Sequence, residues 1–376
     1  MTEAALTLVY LGPAEDNLGD SAIRLDRRTD SLVRLGPAMG LELRLVKAEE
    51  LPGFGEAEKS ASPASLRERF EGSAAVWWFG RSSTLAETTR LHEAAKALLA
   101  ELGLAIPVYE YPELVEESNS LALSYPKLAR AGLPQAATRF YPMSPRECEG
   151  DEAAIEAMVR RKLRWSWLRG DHFFRTYYGT LKIHAGLNMA HSKAELIAGA
   201  TRLIKTLRER QDIGGLAVRE LLPIASLWDK TENTPLSREY RIFVSHGTPI
   251  WWSCDYQLET LRPKLDEDDL ARLGGISEEQ RETMIRLAGE AGRALDSRLL
   301  CVDFAVLEDG SVSLVEVNPG YCSGWPHDAA FLFLYGRFLR RLAGLPDRST
   351  AEWRAVAVDC ELDLWGEGVV WRALEG

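Results

Sequence analysis

Hydrophobic residues change their spacing along this chain, and those changes predict its elements. Leu6–Leu11 (LTLVYL) is a short apolar run broken at Gly12-Pro13, which predicts a first strand. Ser31–Met39 is partly helical and leads into Leu41–Val46 (LELRLV), a strand of alternating polarity. Ala74–Phe79 (AAVWWF) predicts a buried strand, and apolar positions then recur at helical spacing from Thr84 to Leu102, up to Gly103. Ala105–Tyr109 is a further short strand before Pro112. Strands and helices of this length in alternation predict a small parallel α/β domain over residues 1–118. No GxGxxG follows the first strand, so this layer carries no dinucleotide loop and reads as a scaffold or an acceptor-binding half.

From Ser120 the pattern changes. Ser124–Pro142 reads as a helix, a Gly-Leu-Pro turn and an extended exit, and Glu152–Trp167 as a basic, aromatic helix. That helix is either a solvated face with packed tryptophans or a surface for a protein or peptide partner around Trp165 and Trp167. His172–Tyr178 (HFFRTYY) is strand-like, and Ser192–Arg210 is an amphipathic helix with Ser192 as N-cap and Glu195 at the capping-box position. Leu216–Tyr256 is rich in strands, with one halted at Pro223 and two more around His246-Gly247. Gly274–Leu295 and Pro326–Leu342 read as helices, and the last thirty or so residues (RAVAVDCELDLW, VVWRAL) as two more strands.

Between those helices lies Cys301–Gly320 (CVDFAVLEDGSVSLVEVNPG), two apolar strands joined at Asp309-Gly310, a dipeptide that suits a two-residue hairpin. With that turn, Glu308 pairs with Ser311 and Asp303 comes directly opposite Glu316, with Asn318 on the same face. Two facing carboxylates repel unless a cation lies between them. Two carboxylates and an amide oxygen form a hard donor set suited to Mg²⁺, with Mn²⁺ as the alternative, carried in with nucleotide phosphates. The plainer alternative is an ordinary hairpin with acids at solvated ends; the apolar strands around Asp303 and Glu316 argue against it.

Composition narrows the classes. At 376 residues the chain suits two or three domains, and its 46% hydrophobic and 27% charged residues are ordinary for a globular enzyme. A net charge of −11 argues against a nucleic-acid binder. No apolar run reaches a membrane span, and the acidic opening MTEAALTLVYLG is unlike a signal peptide, so a cytoplasmic protein with no membrane partner is expected. The five scattered cysteines show no CxxC pair or zinc spacing and are expected to be reduced. A nucleophilic Cys322 has only His327 as a potential partner.

Phosphoryl transfer needs cations on the phosphates as well as a metal. Arg175, mid-strand among Phe173, Phe174 and Tyr177, is one candidate, and Lys182, just past Gly179, is another. Glu239 and Arg241 share one face of a strand, with Tyr240, Ile242 and Val244 on the other, as a surface ion pair would too. Glu220 ends its strand where a chain could run past an adenine, although a surface glutamate there needs no ligand.

Taken together these segments resemble the ATP-grasp superfamily over roughly residues 120–340. VDFAVLEDGSVSLVEVNP is similar to its metal-binding hairpin, REYRIFVSHGTPIWW to its paired strands, and VRELLP to its adenine hinge. FFRTYYGTLKIHAG, with Arg175, Lys182 and Gly186, resembles the clade named for two arginines and a lysine, as does SGWPHD, with Trp325 in place of the usual tyrosine. GTLKIHAG departs from the glycine-rich loop of many members.

The resemblance implies an α/β protein in which two α+β subdomains, 119–215 and 216–345, clasp ATP between antiparallel sheets, with 346–376 as a C-terminal β extension. It also implies Mg²⁺ on Asp303, Glu316 and Asn318, ATP phosphates on Arg175 and Lys182, and the γ-phosphate or acyl-phosphate oxygens on Arg241. Glu220 with Leu222 then forms the hinge, and Glu239 belongs to the nucleotide site. The implied activity is ligation of a carboxylate to an amine through an acyl phosphate, with small-molecule or peptide substrates and release of ADP and phosphate. The alternatives are an ATP-binding assembly factor without turnover, and a phosphotransferase that stops at a phosphorylated product.

Overall fold

The first apolar runs become the middle of a parallel sheet. The computed structural model describes residues 4–11, 31–54, 60–80, 85–164, 171–178, 188–208, 213–228, 236–254, 266–322, 328–360 and 371–373. β1 (Ala4–Leu11), β2 (Leu41–Lys47), β3 (Ser73–Gly80) and β4 (Val108–Tyr109) lie in the order β2-β1-β3-β4, all parallel. β1 is almost wholly buried, as the centre of a covered parallel sheet must be, whereas β2 at the edge exposes part of its length. Helix Leu85–Glu101 buries Leu91, Ala95, Leu98 and Leu99, the helical stripe its spacing predicts.

The second sheet is antiparallel, in the order β5-β8-β6-β7: β5 (Thr138–Pro142), β6 (His172–Thr176), β7 (Met189–Ala190) and β8 (Gly215–Glu220). Helices Glu152–Lys162 and Lys193–Leu207 cover one face, and Phe174 of β6 packs with Leu196, Ala200 and Leu203. The helix approaches β6 so closely that a Cβ at Gly199 would lie 2.4 Å from Phe174 Cζ. Ser192 caps this helix by accepting from the Glu195 N–H at 3.2 Å, while Glu195 accepts from the N–H of His191. β8 was expected to head the following subdomain; its hydrogen bonds place it between β5 and β6 instead. Trp165 and Trp167 lie outside the described residues.

The third sheet runs β14-β13-β11-β12-β15. A small ribbon, β9 (Ser226–Trp228) with β10 (Leu236–Ser237), precedes β11 (Glu239–Ser245) and β12 (Thr248–Cys254). Both turn residues between β11 and β12 have positive φ, His246 at 50° and Gly247 at 73°, the two-residue turn that matches strand twist. β13 (Leu299–Val306), β14 (Val312–Pro319) and β15 (Trp371–Ala373) complete the sheet. Helix Glu278–Leu295 packs on Tyr240, Ile242, Val302 and Phe304 through Met284, Leu287 and Ala288. The helix expected over Gly274–Leu295 starts at Glu278, opened by a Ser277/Gln280 capping box, and a separate helix, Glu267–Gly274, precedes it.

Elsewhere on the sheet, Phe243, Trp251 and Cys301 join the N-terminal core together with Phe333 and Phe338 of helix Asp328–Leu342. Trp77 of β3 sits 5.0 Å from Phe338 and 5.5 Å from Tyr335.

The predicted C-terminal pair of strands is half wrong. Thr350–Asp359 is a helix, capped by Ser349 and Glu352 and burying Thr350, Trp353 and Ala357. Its alternating small apolar residues do not share a buried face: Val358 is 64% exposed. The second stretch does contain a strand, β15.

The second and third sheets are stitched by backbone bonds. Leu314 N–H donates to Pro134 O at 2.7 Å, Ala225 N–H to Val306 O at 3.0 Å, and Glu308 N–H to Pro223 O at 2.8 Å.

Candidate active site

The site is built on the hairpin of β13 and β14. Its loop is one residue longer than predicted: Leu307 N–H donates to Ser311 O at 2.8 Å and Gly310 N–H to Leu307 O at 2.9 Å, with Gly310 at φ 83°. Asp309 supports the loop by accepting from Ser311 N–H at 2.9 Å. Alone, the longer loop would move Glu316 away from Asp303. A β-bulge at Val315 inserts one compensating residue, so Asp303 does face Glu316, and Cys301 faces Asn318.

Each carboxylate meets an arginine. Arg241 sits beside Asp303 on β11 and donates from Nε and Nη2 to its two oxygens, both at 2.8 Å. This bidentate pair is buried, with Arg241 8% and Asp303 1% exposed. Cys301 Sγ lies 3.6 Å from Asp303 Oδ1. Arg175, 6% exposed on β6 of the second sheet, reaches across and pairs with Glu316. Asn318 Nδ2 donates to the other Glu316 oxygen at 3.1 Å. Glu239 accepts from Ser237 Oγ at 2.8 Å. Arg175, Arg241, Asp303, Glu316 and Asn318 thus meet where two sheets face each other.

Among the described residues no group of three or more His, Cys, Asp or Glu is placed to hold a metal, so the candidate set is two carboxylates and one amide. These donors fit Mg²⁺: all can present oxygen, and two anionic charges are gathered in a mostly buried place.

The predicted hinge is less defined. Glu220 is exposed at the end of β8, where its N–H donates to Ala137 O at 2.9 Å. Leu221 N–H donates to Asp171 O at 3.1 Å, and Leu222 O accepts from Ile224 N–H at 2.9 Å. Lys182, Gly186, Trp325 and His327 lie outside the described residues, as does the side chain of Cys322.

One residue of this site was missed. Arg219 on β8 is 4% exposed, and its Nη1 donates to the carbonyl of Val315, the bulge residue, at 2.6 Å. Its Nε and Nη2 have no hydrogen-bond partner among the described residues. Burial, and then the charge of Arg175, push its pKa down to about 10. A charged residue inside the apolar LAVRELLP was the available signal; the bulge that seats it leaves none.

Comparison with known proteins agrees with the mixed α/β fold. The family described as an ATP-grasp domain, family 3 of the clade named for two arginines and a lysine, matches residues 136–339, over half of the chain. No curated protein matches. Among solved structures, D-alanine–D-alanine ligase from Bacillus anthracis complexed with ATP aligns at 13% identity and TM-score 0.52, covering 95% of this chain and 99% of that one. D-alanyl-alanine synthetase A from Vibrio cholerae aligns at 13% identity and TM-score 0.52, covering 92% and 98%. The ADP complex of N5-carboxyaminoimidazole ribonucleotide synthetase aligns at 12% identity and TM-score 0.50, covering 92% and 78%.

Proposed function

We infer that this chain, which belongs to family 3 of that two-arginine, one-lysine clade of ATP-grasp domains, is an ATP-dependent ligase joining a carboxylate to an amine. One observation carries the reading: two arginine–carboxylate pairs, Arg241–Asp303 and Arg175–Glu316, converge from two sheets on one cleft. Collecting four charged groups in a largely buried place is costly for stability alone. It makes sense if ligands of both signs replace the partners. The arginines would then hold phosphates, and Asp303, Glu316 and Asn318 would hold Mg²⁺, which would supply charge neutralisation when bound.

In this reading Arg175 and Lys182 hold the polyphosphate, while Glu220 and Leu222 line the adenine with backbone groups and Glu239 borders the nucleotide. Arg241 steadies the oxygens of the transferred group. A carboxylate oxygen of the acid substrate attacks the γ-phosphorus, and the bond to the ADP oxygen breaks. The amine nitrogen then attacks the acyl carbon, phosphate departs and the nitrogen loses a proton. No side-chain nucleophile is needed; positioning and charge supply the rate. The C-terminal ends of β3 and β4 suit the second substrate, since open parallel sheets bind ligands at that edge. Tyr321, just past the hairpin, lies 5.0 Å from Trp78 there. Substrates are small acids and amines or peptides.

The test is incubation with Mg-ATP and pools of amino acids or peptides, recording ADP, AMP and phosphate together. ADP and phosphate appearing only when acid and amine are both present supports ligation. AMP with pyrophosphate sinks the acyl-phosphate route, and nucleotide binding without turnover favours an assembly factor. Full turnover in an Asp303→Asn, Glu316→Gln double variant would refute the site.

A further inference from the structure

Arg219 is an arginine whose useful edge is empty. Nη1 is occupied by the Val315 carbonyl, so the guanidinium is anchored and its plane is held by the bulge. The remaining edge carries Nε–H and an Nη2–H, the parallel pair of donors with which arginine grips two oxygens of one carboxylate or phosphate. Arg241 uses that same pair, Nε and Nη2, on Asp303. In Arg219 both nitrogens are buried and, among the described residues, without a partner. Buried donors seldom stay unsatisfied without a reason.

The surroundings favour an incoming anion over a protein acceptor. Arg219 is paired in register with Phe173, two residues before Arg175, so Arg175 and Arg219 lie on one face of the second sheet. The carboxylate between them, Glu316, is already shared between Arg175 and Asn318. Among the described residues these two guanidinium groups share a single carboxylate, which leaves one positive charge over. Resting on the ATP-ligase reading above, we propose that Arg219 is a bidentate oxyanion site: its Nε–Nη2 edge receives one phosphate or carboxylate group of a substrate, beside Arg175. Two sources share that chemistry, a nucleotide phosphate and the carboxylate of the acid substrate.

The experiment measures binding of ADP, adenosine, inorganic phosphate and acetate to the full chain by calorimetry, for wild type and Arg219→Lys. Lysine keeps the charge and a donor for Val315 but loses the fork. If the oxyanion belongs to the nucleotide, ADP weakens about 10- to 100-fold while adenosine changes less than about 2-fold. If it belongs to the acid, ADP is unchanged and the weak binding of acetate or phosphate is lost. Equal weakening of ADP and adenosine marks a purely structural arginine and overturns the proposal. So does unchanged binding of all four probes. A wild type that ignores ADP yet binds phosphate through Arg219 would defeat the ATP reading and leave this site standing. Should the lysine variant not fold, phenylglyoxal labelling of the wild type, mapped by mass spectrometry, gives the same answer. Protection of Arg219 by ADP, phosphate or acetate, but not by adenosine, supports the site, and no protection by any of them overturns it.

Discussion

Arg241 and Arg175 each hold one carboxylate of the hairpin, and they do so differently. Arg241 and Asp303 sit opposite each other on adjacent strands of one sheet, joined by two bonds of 2.8 Å. Arg175 and Glu316 belong to different sheets, and Glu316 keeps 17% of its side chain exposed. The first pair is held by the backbone ladder whether or not the cleft is filled. The second exists only while the two sheets face each other closely, so it reports and resists their separation. If a nucleotide enters between the sheets as proposed, the second pair gives way first, whereas the first, held by two bonds within one ladder, yields its partners at greater cost.

The largest expected effect comes from breaking the fixed pair. Asp303→Asn leaves Arg241 buried without its bidentate partner, which costs about 3–5 kcal/mol, read as a lowered urea midpoint. ATP turnover should fall about 1000-fold or more, measured on whatever fraction remains folded. An unfolding midpoint within error of wild type would show that the pair is not the fixed element described above.

A third buried acid shows what a carboxylate does without such a grip. Glu110, just past β4, is 3% exposed, and no side chain among the described residues donates a hydrogen bond to either of its oxygens. Arg298 is close enough to act through its charge, but its guanidinium lies over the rings of Tyr109 and Tyr111, at 4.1 and 4.9 Å. Burial therefore wins and raises the Glu110 pKa from 4.5 to about 7, against the pull of the Arg298 charge and backbone. Between those values the folded protein binds a proton that the unfolded chain has lost, so stability falls as pH rises through the window. The loss is about 3 kcal/mol from pH 4.5 to 7 relative to Glu110→Gln, measured by urea unfolding of both across that range. Parallel curves for the two proteins would mean that burial does not raise the Glu110 pKa on folding.

The same contrast explains what could be read from the sequence. The parallel layer was legible because β1 and β3 are continuous apolar runs and helix Leu85–Glu101 has a clear stripe. The facing of Asp303 and Glu316 came out right through two errors that cancel: the loop is a residue longer than Asp309-Gly310 suggests, and the Val315 bulge restores the register. Neither has a signature in side-chain pattern, because a bulge is a backbone event. The short alternation in RAVAVD imitated a strand, and the Ser349–Glu352 cap decided for helix. Pairing across sheets, Arg175 to Glu316 and Arg219 to Val315, depends on tertiary approach that strand periodicity does not encode.

The smallest effect on stability tests the movable pair. Glu316→Gln removes the charge facing Arg175 while keeping the size of the side chain and an acceptor for Asn318. Because the pair is partly solvated, the cost is about 1 kcal/mol, well below that at Asp303. Its signature is local: amide exchange should quicken in β14 and β6, where the two sheets meet, and stay unchanged in β11 and β13, which the Arg241–Asp303 pair still ties together. Saturating nucleotide should restore slow exchange in β6 if phosphates take over Arg175 when Glu316 lets go. Exchange that quickens equally in β11 and β13, or a stability loss matching that of Asp303→Asn, would show that the two pairs form one inseparable network and that neither opens alone.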